Sequence, residues 1–263
     1  MSKSARLALP ACMLLPALSW AQSTFDGTWK ADLNNIQLST KPDRYLLQDG
    51  LYHCQTCAPP VEIQADGQDH PVSGHPYYDT ASIKILDDRT IEETDKKDGH
   101  TVTTSTSKVS VDGKSLTFEL TDRSASSGAP LIVKGEARRI ATGPAGSHAI
   151  SGSWRTTRYE NISDNGLLVS YALKGSTFKM TNPLGQSYAA PLDGTDSPYR
   201  GDPGTTSVSV KRIGDQSIEE TDKRDGKIIG VARMTVAADG KTMTVAWQDL
   251  LHGTSGSFMN VKQ

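Results

Sequence analysis

Aromatic residues make up only 6% of the 263-residue chain, cysteine occurs three times, and neither sign of charge dominates. With 28 Lys and Arg against 30 Asp and Glu, there is no basic surplus of the kind that coats a polyanion, so nucleic-acid binding is not expected. Low net charge with 36% hydrophobic residues also excludes wholesale disorder. Beyond the first 21 residues no apolar run approaches membrane-helix length, so no membrane span is expected. Neither H-E-x-x-H nor G-x-S-x-G occurs. Asp112-Gly113-Lys114-Ser115 and Asp239-Gly240-Lys241-Thr242 mimic the end of a phosphate loop, but Lys108 and Thr235 stand where its first glycine belongs. Asp95 to Gly99 lacks the alternating acidic positions of a calcium loop. A catalytic set is therefore not in view, and no cofactor is implied.

Residues 1–21, MSKSARLALPACMLLPALSWA, read as a cleaved secretory signal peptide. Lys3 and Arg6 supply the positive start, Leu7 to Leu18 the apolar stretch, and Ser19 and Ala21 the small residues of a cleavage site. Cys12 falls inside the apolar stretch, which continues past it. The expected location is periplasmic or secreted, where Cys54 and Cys57 would be the two remaining cysteines.

The chain is duplicated. Residues 66–122 align without a gap to 193–249, and 23 of the 57 columns are identical. The longest match is IEETDK, at Ile91–Lys96 and Ile218–Lys223. Upstream, Gly27-Thr28-Trp29-Lys30 matches Gly152-Ser153-Trp154-Arg155. This divides the chain into repeat 1 over 25–141, a linker over 142–149 with the composition TGPAGSHA, and repeat 2 over 150–263. Local patterning is that of strands. Leu116, Phe118 and Leu120 alternate with Thr117 and Glu119, and Met243, Val245 and Trp247 repeat the pattern. Asp98-Gly99, Asp112-Gly113, Asp225-Gly226 and Asp239-Gly240 suit tight hairpins. The expected fold is all-β, two tandem antiparallel β-meanders forming two barrels. The alternative is one larger barrel or sandwich built by both repeats.

The GTW and GSW motifs resemble the first-strand motif of lipocalins. That resemblance implies that Trp29 and Trp154 plug one barrel end, each under a basic residue of a last strand, for which Arg138 or Arg139 and Lys262 are placed. Over nearly its whole length the chain also resembles a group of uncharacterised exported bacterial proteins with GTWK, DGxDxPxxGxP and EETDKKDG-like motifs. The second resemblance implies export and fold class, with no activity attached.

The two repeats act as an internal control: what both keep is best explained by what the fold needs twice. Glu92-Glu93 and Glu219-Glu220 are neighbours on strands and point to opposite faces, so they are read as charged hairpin residues near Lys96 and Lys223. Repeat 1 alone carries His53, Cys54, Cys57, His70, His75, Tyr77 and Tyr78. Ser197, Asp202, Gly204 and Thr205 occupy the positions of His70, His75, Tyr77 and Tyr78 in repeat 2. C-x2-C-x12-H-x4-H has zinc-finger spacing, but two prolines and a glycine around His70 and His75 exclude the helix such a finger needs. Three readings stay open for Cys54 and Cys57. A structural disulfide comes first, a zinc or copper site with His53, His70 or His75 second, and a redox pair third. The expectation is an exported, non-enzymatic barrel protein holding a small molecule, against a metal-binding or thiol-redox protein with its site in repeat 1.

Overall fold

The computed structural model describes residues 23–125 and 128–263; the signal-peptide reading of 1–21 lies outside them. Ten strands belong to repeat 1 in sequence. They are β1 (Gly27–Gln37), β2 (Asp43–Gln48), β3 (Leu51–Cys54), β4 (Val61–Gln64), β5 (His70–Pro71), β6 (Thr80–Asp87), β7 (Thr90–Lys97), β8 (His100–Val109), β9 (Ser115–Asp122) and β10 (Leu131–Thr142). Repeat 2 follows the same plan. It comprises β11 (Gly152–Ile162), a short α1 (Asp164–Leu167), β12 (Leu168–Lys174), β13 (Thr177–Thr181), β14 (Ser187–Pro191), β15 (Asp193–Pro198), β16 (Ser207–Gly214), β17 (Ser217–Arg224), β18 (Lys227–Val236), β19 (Thr242–Asp249) and β20 (Thr254–Lys262).

All pairings are antiparallel, in two ten-stranded sheets that curl into nearly closed barrels, and the single larger barrel does not form. Two of the four expected Asp-Gly hairpins are two-residue turns; Asp112-Gly113 and Asp239-Gly240 instead lie in five-residue connections, 110–114 and 237–241. At Asp98-Gly99 and Asp225-Gly226 both residues have positive φ, the conformation that matches strand twist in a hairpin. The second barrel closes where Ser187 and Arg200 exchange backbone hydrogen bonds of 3.0 and 2.9 Å. The first approaches closure where Gly67 N–H reaches the Ile83 carbonyl at 2.9 Å.

The sheets do not follow the repeat boundaries. The first barrel runs β4-β3-β2-β11-β10-β9-β8-β7-β6-β5, and the second β14-β13-β12-β1-β20-β19-β18-β17-β16-β15. Each repeat thus gives its first strand to the other's barrel. β11 fills the slot between β10 and β2, and β1 fills the slot between β20 and β12. The 142–149 segment, read as a linker, connects two paired strands of one barrel. His148 N–H bonds to the Leu47 carbonyl at 2.9 Å, and Arg139 donates to the carbonyls of Ala149 and Ser151 at 2.7 Å each.

Both barrels have the same plug. Trp29 and Trp154 are 0% and 1% exposed, and each indole N–H donates at 2.8 Å to a carbonyl four residues back, Phe25 or Ile150. Arg139 lies 4.0 Å over the Trp154 ring and Lys262 5.2 Å over Trp29. The glycine two residues ahead of each tryptophan is needed there. Gly27 and Gly152 have φ near 126° and 129°, and a Cβ on either would sit 2.9 Å from the Lys262 or Arg139 side chain.

Candidate functional site

From the Trp154 plug, the interior of the first barrel rises through layers set by strand register. Leu116 of β9 lies beside Ala137 of β10, and Phe118 beside Ser107 of β8 and Gly135. Above them, Glu93 of β7 pairs with Ser105, which faces Leu120. The last layer joins Asp95, Thr103 and Asp122. Side chains two apart on a strand share a face, so Ile91, Glu93 and Asp95 all project inward from β7. The second barrel repeats this arrangement with Ile218, Glu220 and Asp222 on β17.

The EETD segment is therefore not a surface hairpin. Its first glutamate, Glu92 or Glu219, faces out, and Glu219 pairs with Arg233 at 2.8 Å. Its second glutamate and its aspartate enter the barrel. The signal lay in I-x-E-x-D, where an apolar residue and two acids share one parity. Burial pushes the Glu93 and Asp95 carboxyls well above the ordinary carboxylate range, with repulsion from Asp95 adding at Glu93 and from Asp122 at Asp95. Glu220 and Asp222 are raised in the same way, by burial first and by neighbouring acids second.

The barrels differ in how these acids are met. In the second, the Tyr188 hydroxyl donates to Glu220, while Phe178, Met180, Met234 and Met243 fill the interior. Register places Val61, Tyr52, Cys54, Ser107 and Leu116 at the corresponding points of the first barrel. Val61 has no hydroxyl and Ser107 is much smaller than Met234. The first barrel consequently keeps a cavity of about 260 Å³ bordered by Tyr45, Tyr52, Glu93, Ser107, Phe118 and Trp154. Burial drives the Tyr45 and Tyr52 hydroxyls far above their usual range, so both stay neutral donors.

The residues singled out in repeat 1 are placed as follows. Cys54 and Cys57 form a disulfide, S–S 2.06 Å, with Cys54 in the first-barrel core. His53 lies on the outer face of β3, where its ring contacts the Glu62 carboxylate. His70 contacts Asp66 at 2.8 Å, and His75 stacks on Tyr78 at 4.5 Å. The metal set of Cys54, Cys57, His53, His70 and His75 is thus dispersed, its sulfurs are bonded to each other, and no group of three or more His, Cys, Asp or Glu that could hold a metal occurs among the described residues.

Much of the asymmetry between repeats is a contact between barrels. Tyr77 donates to Asp202 at 2.9 Å and covers Gly204, where a Cβ would lie 2.0 Å from the Tyr77 hydroxyl. Gly204 is Tyr77's own counterpart and Asp202 that of His75. Equivalent positions that meet each other mark a pseudo-two-fold axis. Two tyrosines could not share it, so one repeat carries the side chain and the other the space. Tyr78, His75, Asp222 and Trp247 border a further cavity of about 450 Å³ between the barrels.

No family model matches the chain, and no curated protein matches it. Among the described residues no helix is long and apolar enough to cross a membrane.

Proposed function

We propose that this is an exported, non-enzymatic binding protein that carries a small molecule in the lumen of its first barrel. The observation that supports this reading is the contrast between two copies of one fold. The second interior is filled by Tyr188, Met234 and Met243, whereas the first retains about 260 Å³ lined by aromatic rings, serines and two acids, Asp43 and Glu93. Binding sites combine that apolar enclosure with a few fixed polar groups. Export rests on the pattern of residues 1–21, and a periplasmic or secreted location suits the Cys54–Cys57 disulfide. The resemblance to exported duplicated proteins and to the lipocalin first strand supports the same reading.

Ser107→Met gives the first barrel the residue that fills the second. Native mass spectrometry of protein isolated from the exporting cell without denaturation should show a small-molecule adduct on the wild type that Ser107→Met lacks. Equal adducts on both proteins, or none on either, would count against a lumen carrier.

A further inference from the structure

Asp43 and Glu93 border the first-barrel cavity, Asp95 follows Glu93 on the inner face of β7, and no basic side chain lines the cavity among the described residues. Asp95 is 8% exposed, and one of its carboxylate oxygens has no hydrogen-bond partner among the described residues. Neither Glu93 nor Asp95 joins any ion pair among the described residues. Burying a carboxylate without a partner is costly, and a hydrophobic residue at either position would serve the barrel better. Both repeats keep the pair, and Asp222 of the second barrel has the same unpartnered oxygen; what is particular to the first is the open space beside Glu93, where the second sets the Tyr188 hydroxyl against Glu220.

We infer that the first-barrel lumen binds a compact organic monocation, an amine whose ammonium sits against Glu93, with Asp95 next to it on the same face of β7, and whose apolar body lies against Tyr45, Tyr52 and Leu116. The inference rests on the lumen-carrier reading and names its ligand class. Further groups around the lumen favour a cation. Tyr45 from β2, Tyr52 from β3 and Tyr78 ahead of β6 are neutral, and Asp122 from β9 is a further acid, as is Asp43 at the Trp154 end of the cavity. Aromatic walls attract an ammonium through their ring faces, more strongly when it is desolvated. A hard metal ion fits less well, since no group of three or more His, Cys, Asp or Glu that could hold one occurs among the described residues and much of the wall is aromatic or aliphatic.

The sign of the pH effect follows from the raised carboxyls. Free protein holds protons on the pair into the neutral range, and an arriving ammonium displaces them, so affinity rises with pH. The test is calorimetric titration of the intact protein with 2-phenylethylamine, neutral 2-phenylethanol and anionic 3-phenylpropanoate. The amine should bind once per chain, at least about tenfold tighter than the alcohol near pH 7.5, and gain up to about tenfold per pH unit per proton displaced between about pH 5.5 and 7.5. Glu93→Gln should remove both the preference and the slope, Asp95→Asn should weaken both, and Glu220→Gln should leave both intact. Thermal melting confirms that each variant is folded, as expected when a buried charge is removed. If the alcohol or the acid binds as well as the amine, and Ser107→Met blocks it, the lumen carries ligands but the cation assignment is overturned. If amine binding survives Glu93→Gln and Asp95→Asn unchanged, the assigned site is overturned. If none of the three probes binds, the amine assignment is overturned, while the carrier reading stands or falls separately on the native adduct that Ser107→Met removes.

Discussion

At the scale of single residues, the tryptophan plugs are the most demanding positions in the chain. Trp154 is closed off by Arg139, whose guanidinium stacks on the ring and also donates to three carbonyls, those of Gly113, Ala149 and Ser151. Removing the indole leaves a void that a fixed β-framework cannot collapse. Trp154→Ala should therefore cost about 3–5 kcal/mol in denaturant melting, and near-neutral stability would show that the plug is not structural. The disulfide should matter less. Only two residues separate Cys54 from Cys57, so the bridge removes little freedom from the unfolded chain. Replacing both with alanine should cost no more than about 2 kcal/mol beyond the packing lost at buried Cys54. Titration of the unfolded, unreduced protein should find no free thiol at either cysteine; two free thiols there would contradict the bridge.

At the scale of elements, strand β7 sets the pH behaviour. The folded state holds the Glu93 and Asp95 carboxyls above their unfolded values near 4.5 and 3.8, so it binds more protons than the unfolded chain. Their stabilising effect is complete below those values and is lost as pH rises into the neutral and mildly alkaline range. β17 adds the same trend through Glu220 and Asp222. Ligand-free protein should thus melt at a lower temperature at pH 8 than at pH 5 through these groups. Glu93→Gln should recover about 1–3 kcal/mol at the higher pH, the penalty of a buried unpaired polar group, and little at the lower; an equal effect at both would show that Glu93 is not buried as an acid. Strand placement was legible where alternation was plain, as in Leu116, Phe118 and Leu120. β7 was misjudged because five of the six residues after Ile91 in it are charged, and charge usually marks a solvated face. The parity of Ile91, Glu93 and Asp95 carried the correct answer. The lumen itself was beyond reach, since it depends on which residues of β3 and β4 share the interior with β7 and its neighbour β8, and that is set by register.

At the scale of the whole molecule, the duplication was legible and the exchange of first strands was not. β1 and β11 carry the same G-x-W motif, hydrogen-bond edge and ring plug, so either strand satisfies either slot locally. What separates the arrangements is the connections and the side chains that meet at the pseudo-two-fold axis. With the exchange in place, residues 43–162 contain every strand of the first barrel, β2 to β11, in one unbroken stretch. The repeat as read from sequence, 25–141, includes β1, which belongs to the other barrel, and lacks β11 with Ile150 and Trp154 of the core. The fragment 43–162 should therefore fold as a ten-stranded barrel with a cooperative thermal transition and a buried tryptophan emission. For 25–141 to match it, β1 would have to enter the β11 slot, setting Phe25 where Ile150 packs and Trp29 under Arg139. That repacking of a tightly filled barrel end should leave the fragment less stable, since overpacked cores lose about 1–3 kcal/mol. Equal or greater stability of 25–141 in urea melts would show that the first strand prefers its own repeat, and that the exchange is a feature of the full chain alone.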